Sequence, residues 1–124
     1  MQPYNRADVY RLIAEILKNI ASNSSEKLTE FGITQPIHGE IIDELESSGE
    51  SIENLCPPPY SIAFEADSTG RVPLDIYETE PFPQAWRVSC QLWSGDRKTD
   101  LTLIADLPEA RDGPSIIFRL LETQ

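Results

Sequence analysis

The sequence predicts an α+β fold in which N-terminal helices pack on one face of a C-terminal antiparallel sheet of about four strands. Apolar residues recur with helical spacing through the first 49 positions, and alternating strand-like segments follow the run Pro57-Pro58-Pro59. The 124 residues also fall within the usual size of one domain. We therefore expect a single domain over residues 1–124, with a helical part (1–49), a proline-containing connection (50–59) and a mainly β part (60–124).

Three helices are expected in the helical part. Asn5 can cap the first, near residues 6 to 21, because an amphipathic pattern follows it directly. A short second helix is predicted over residues 26 to 31, before a glycine. Thr34 caps the third, which Gly49 closes.

Strands are predicted in four runs separated by proline, glycine and charged turns: 72–78, 85–93, 99–107 and 115–122. Residues 60–65 fit a short helix or a strand, and the pattern does not distinguish the two.

The second and third of these strands predict a hairpin with its loop at Ser94-Gly95-Asp96-Arg97-Lys98. If Trp93 lies opposite Asp100, one face is wholly apolar and pairs Trp86/Leu107, Val88/Ala105, Cys90/Leu103 and Leu92/Leu101. The other face pairs Arg87/Asp106, Ser89/Ile104, Gln91/Thr102 and Trp93/Asp100. A slip of one residue would mix the faces, so the alternation supports this register. We expect the apolar face to pack on the helices.

Charge is the most informative bulk property, because the net charge is −11. Between Lys27 and Arg71 the chain has no basic residue and nine acidic ones: Glu30, Glu40, Asp43, Glu44, Glu46, Glu50, Glu53, Glu65 and Asp67. Such a field repels nucleic-acid phosphates and anionic lipid, and it speeds encounter with basic partners. Simple solvation of the surface is the alternative explanation.

Candidate groups for catalysis or metal binding are few. His38 is the only histidine, and no other ligand stands at metal-site spacing from it. Cys56 and Cys90 are expected to be reduced thiols, with Cys90 in the core. No phosphate-binding glycine loop and no nucleophile beside a base is recognisable. We expect no catalytic residue, metal or cofactor.

The pattern also indicates the cytoplasm as the compartment. No stretch approaches the roughly 20 apolar residues that a membrane helix needs. The first residues, Met1 to Tyr4, lack the basic and apolar regions of a secretory signal.

One stretch of sequence resembles a known family. Residues Trp86 to Ser94 (WRVSCQLWS), followed by Thr99 to Leu103 (TDLTL), are similar to the signature of a bacterial family of small α+β domains without an established function. The similarity covers roughly residues 50–107 and departs from the family pattern at Gly95 to Lys98, where the family has a more acidic turn. The resemblance implies a fold similar to the cystatin-like or NTF2-like cone, and no activity.

Three functions are compatible with these observations. The first is an immunity- or antitoxin-type protein that neutralises a basic partner such as a toxin nuclease. The second is a small-ligand-binding or enzymatic cone domain, for which His38, Asp75 and Tyr77 are the polar candidates. The third is an oligomeric structural component, such as a homodimer, joined through a sheet face.

For the first function, the candidate partner-binding residues are Glu40, Asp43, Glu44, Glu46, Glu50, Glu53, Trp93 and Asp100. Trp93 is included because the predicted register places it opposite the core. There it is either covered by another part of the chain or free to anchor a partner.

Because the ligand and cysteine inventory is small, we predict that neither a chelator nor a reductant changes the melting temperature. Thermal unfolding followed by circular dichroism, with and without EDTA or dithiothreitol, tests this. A large fall with either reagent would reveal a structural metal or disulfide.

Overall fold

A computed structural model describes residues 5–81, 84–108 and 115–123. The described residues form the helices α1 (Arg6–Ser22), α2 (Ser25–Glu30), α3 (Gln35–Ser48) and α4 (Tyr60–Ala63). They also form the strands β1 (Leu55–Cys56), β2 (Leu74–Pro81), β3 (Gln84–Ser94), β4 (Arg97–Leu107) and β5 (Ile117–Thr123), with a 3-10 turn at Ile52–Asn54. The predicted α+β class is confirmed. Residues 1–4, considered above for a secretory signal, lie outside these ranges.

The strands form one antiparallel sheet of five strands. The order β2-β3-β4-β5 is a meander, and the short β1 pairs with the same edge of β3 beyond the end of β2. Two of the predicted strands begin later than expected, β2 at Leu74 and β5 at Ile117.

Local sequence explains both ends of α1. The side chain of Asn5 accepts hydrogen bonds from the amides of Ala7, at 2.8 Å, and Asp8, at 3.3 Å. These bonds satisfy two of the amides that the first helical turn leaves free. Asn23 ends the helix in the left-handed conformation, with φ 55°. The predicted cap and boundary are therefore confirmed to within one residue.

The register of the β3–β4 hairpin is confirmed from Trp86/Leu107 to Gln91/Thr102. Beyond that point the predicted pair of Trp93 with Asp100 is wrong, because Trp93 pairs with Lys98 and Ser94 with Arg97. The turn is therefore only Gly95-Asp96, and β4 contains a bulge that shifts the pairing by two residues.

The side chain of Thr99 stabilises this bulge. Its hydroxyl donates to the carbonyl of Leu92 at 2.7 Å and accepts from the amide of Leu101 at 3.1 Å. A side chain thus provides the hydrogen bonds that the interrupted ladder leaves open. The predicted pair Leu92/Leu101 falls in this irregular stretch and is not formed in the ladder, although both residues are fully buried as expected.

The predicted packing of the sheet on the helices is confirmed. One buried cluster joins α1 residues such as Val9, Ile13 and Ile16 to the apolar faces of β3 and β4. Cys90 is fully buried in it, as expected, and burial raises the pKa of its thiol far above the usual range. Trp86 differs from expectation, because it is only half buried at the margin of the cluster.

Residues 60–63 are helical, which decides the alternative that the sequence left open. The ring of Tyr60 makes edge contacts with Phe64, at 5.6 Å between centroids, and with Tyr10 of α1, at 5.1 Å. The hydroxyl of Tyr10 donates to the carbonyl of Pro58 at 2.8 Å. These contacts attach the proline-containing connection and α4 to the first helix.

Because Leu101 and Leu103 have no exposed surface, we predict that replacing either with alanine lowers the free energy of unfolding by about 2 to 5 kcal/mol. Leu120 on the neighbouring strand is 41% exposed, and Leu120→Ala should cost under about 1 kcal/mol. Urea unfolding of the three variants provides the measurement. Equal effects at all three positions would contradict the assigned core.

Candidate functional site

Helix α3 presents a continuous row of residues away from the core. Ile41 and Leu45 face inward and are buried. Gln35, Gly39, Ile42 and Glu46 are all exposed and recur at intervals of four, three and four residues, which places them on one face of a helix. We call these four residues the outward row of α3.

Ile42 is the apolar member of this row and exposes 36% of its surface. Asp43 and Glu46 follow it at one and four positions, and both are exposed. Neither carboxylate belongs to any ion pair found in the described ranges, and nor does Glu40. An exposed aliphatic side chain therefore stands among carboxylates whose charge is not locally compensated.

Other predicted site carboxylates already have partners within the chain. Glu50 forms an ion pair with Arg97 of β4 at 2.7 Å, and only 14% of its side chain is exposed. Glu44, half buried, accepts a hydrogen bond from the hydroxyl of Thr123. Asp67, counted above in the acidic segment, lies 3.7 Å from the ammonium group of Lys98. The basic residues of β4 thus compensate part of a charge excess that looks unbroken in the sequence.

Hydrogen bonds also shift several pKa values in this region. The hydroxyl of Thr69, together with its backbone amide, lowers the pKa of the Asp67 carboxyl. The hydroxyl of Ser51 lowers the pKa of Glu53. The hydrogen bond to Glu50 raises the pKa of Arg97. Each shift favours the charged form of its group.

Trp93 exposes only 8% of its surface, so the chain itself covers the indole. Of the two alternatives considered for Trp93, cover by another part of the chain is therefore found, and a free anchor for a partner is not. Asp100, next to the bulge, is exposed. Trp93 pairs with Lys98, so it does not lie opposite Asp100 as the predicted register required.

A groove of about 590 Å³ lies between α2 and α3. Leu28 and Ile33 are its large apolar lining residues, and both are almost fully buried. The remaining lining is polar or small: Asn23, Ser25, Thr29, Thr34, Gln35, His38 and Gly39. Gln35 and Gly39 belong to the outward row of α3, so the groove and this row are continuous. The imidazole of His38, which is half buried, also lines the groove.

Gly39 stands inside α3 without a reason in the fold. A glycine there costs about 0.8–1.0 kcal/mol relative to alanine, and apart from the adjacent backbone of α3 itself, no atom of the described residues would lie within 4 Å of a β-carbon at this position. Gly32 contrasts with it, because its φ is 77° and a β-carbon would lie 2.9 Å from Ile117 Cγ2. The fold requires glycine at position 32 and does not require it at position 39.

The three polar candidates for a ligand cavity do not line one cavity in the described structure. His38 lines the groove between α2 and α3. Asp75 lines a separate cavity of about 140 Å³ with Arg6 and Phe64, and Tyr77 lies beside Arg87 on the sheet. Among the residues placed by the structure, no group of three metal-binding side chains occurs. None of the described helices has the length and apolarity to cross a membrane.

Sequence reasoning missed Gly39 and Ile42 as site residues. The charge pattern points to the carboxylates alone and indicates neither Gly39 nor Ile42. The 4-3-4 spacing of the outward row is a signal that could have identified both residues.

Comparisons of the chain with protein-family models, curated proteins and solved structures found no match.

Because the hydroxyl of Thr69 lowers the pKa of Asp67, we predict that Thr69→Val raises this pKa toward its ordinary value of 3.8. A carboxyl whose pKa is depressed by folding adds stability above its unfolded pKa and loses it as pH falls through the folded pKa. The wild-type protein should therefore lose more stability on acidification than the variant.

Carbon-13 NMR titration of the Asp67 carboxyl measures the pKa directly. Thr29→Val is the matched control, because the Thr29 hydroxyl donates to the Ser25 carbonyl instead. An unchanged Asp67 pKa in Thr69→Val would show that this hydroxyl does not hold the carboxylate.

Proposed function

We propose that this chain is a non-catalytic, acidic protein-binding domain of the immunity or antitoxin type, which neutralises a basic partner such as a toxin nuclease. One observation carries the proposal: Ile42 is exposed on α3, Glu46 is exposed one turn further along the same face, Asp43 is exposed next to Ile42 in the sequence, and neither carboxylate has an ion-pair partner in the described ranges.

This arrangement has the two parts that a charged protein interface needs. A central apolar side chain loses its contact with water on binding and slows dissociation. Surrounding charges attract the partner over a distance and speed association. The carboxylates of Asp43 and Glu46 would pair with lysine or arginine side chains while Ile42 packs against an apolar group between them.

The distribution of intramolecular ion pairs favours α3 over the rest of the acidic segment. Arg97 engages Glu50 and Lys98 engages Asp67. Glu40, Asp43 and Glu46 have no ion-pair partner in the described ranges and lie on one helix, which holds their backbone positions fixed relative to one another. Within the acidic segment, a partner therefore meets on α3 most of the carboxylates that have no ion pair in the described ranges.

We predict that the triple replacement Glu40→Gln, Asp43→Asn and Glu46→Gln lowers the association rate with the basic partner about tenfold or more at low ionic strength. Glu44 is left unchanged, since its hydrogen bond to Thr123 links α3 to β5. The difference should shrink as added salt shortens the screening length to about 8 Å or less. Surface plasmon resonance against the partner purified from the native host, at low and high salt, measures both rates.

A second triple replacement, Glu26→Gln, Glu65→Gln and Glu122→Gln, is the charge-matched control, because these exposed carboxylates lie outside α3. Its association rate should stay closer to that of the wild-type chain. Ile42→Ala should act mainly on the dissociation rate. Equal rates for the wild-type protein and the α3 triple variant at both salt concentrations would contradict the proposed function.

A further inference from the structure

We propose that the occupant of this surface is a basic amphipathic α-helix of the partner, which crosses α3 closely at Gly39 and inserts side chains into the groove between α2 and α3. This inference rests on the proposed function and deepens it, because it specifies the shape of the partner segment and the point of closest contact.

The first argument is the unexplained glycine. Gly39 lowers the helical propensity of α3, and no group of the described residues outside α3 would contact a β-carbon at this position. Glycine allows another backbone to approach closely. A second helix crossing here could lie at the short end of the 8–10 Å range of distances between packed helix axes. The cost of the glycine is then offset by contact with a second molecule.

The second argument is the position of Gly39 between two binding features. On one side it borders the groove of about 590 Å³, in which the two large apolar lining residues, Leu28 and Ile33, are almost fully buried. On the other side, three residues along α3, is the exposed Ile42. A segment that passes over Gly39 can therefore place apolar side chains in the groove and against Ile42 at once.

The third argument concerns the secondary structure and charge of the occupant. Backbone groups inside α3 are already hydrogen-bonded, so an added strand would find no edge to extend here. An amphipathic helix needs no backbone partner and recognises grooves through apolar residues spaced three and four positions apart. Its polar face would carry lysine or arginine opposite Asp43 and Glu46, since both carboxylates lack a cation in the described ranges.

The test uses the whole chain and a defined probe, a lysine- and leucine-rich amphipathic helical peptide. The variants are Gly39→Ala and Gly39→Gln, and Ala7→Gln is the control because Ala7 is an exposed position on α1. Gly39→Ala should raise the melting temperature by a few degrees. Gly39→Gln should weaken peptide binding about tenfold or more without lowering the melting temperature, and Gly39→Ala should weaken it less.

Isothermal titration calorimetry measures the affinities, and amide chemical shifts locate the contact. Loss of affinity in Gly39→Gln with wild-type affinity in Ala7→Gln supports the inference. If Gly39→Gln binds as tightly as the wild-type chain while the α3 triple charge variant binds weakly, the close helix crossing is wrong and the proposed function stands. If the wild-type chain does not bind the basic peptide even at low ionic strength, both proposals fail.

Discussion

Burial of the apolar face of the β3–β4 hairpin determines where the other elements lie. Val88, Cys90, Leu101 and Leu103 have no exposed surface, and they belong to the same cluster as the apolar side of α1. Because side chains alternate across a strand, burial of this face directs every second residue of both strands to the other side. The helices pack on that apolar face, and α3 has one side buried against the core and one side exposed.

The sheet also controls the electrostatics of the acidic segment. Arg97 and Lys98 directly follow the turn at Gly95-Asp96. Arg97 forms an ion pair with Glu50, and Lys98 forms one with Asp67. In the sequence these groups are tens of residues apart, so the acidic run looks uncompensated. In the fold, Glu30, Glu50 and Asp67 of this segment are ion-paired, and most of its other carboxylates, which have no ion pair in the described ranges, lie on α3. A charge count along the chain thus overstates how many carboxylates of this segment are unpaired, and it does not show where the unpaired ones lie.

Much of the fold could be predicted from local chemistry, and the errors have identifiable physical causes. The cap at Asn5 and most of the hairpin register follow from rules that act over a few residues. The pairing of Trp93 could not be predicted in this way, because it depends on a bulge whose hydrogen bonds come from the Thr99 side chain. The helical state of residues 60–63 depends on ring contacts with Tyr10, fifty positions away in the chain. Both features arise from tertiary contacts that a short sequence window does not contain.

Only the charge of the candidate site could be predicted from the sequence, because its shape depends on which side chains the fold leaves exposed and where it leaves open space. Acidic residues of α3 are visible in the sequence, yet exposure of Ile42 and open space at Gly39 become apparent only once Ile41 and Leu45 are known to face inward. Natural sequences follow local rules consistently, and departures from them concentrate where function requires it. Helix α3 departs twice within four residues, with a glycine in its interior and an isoleucine that is 36% exposed. The glycine lowers the stability of the helix, and contact with one partner segment would account for both features.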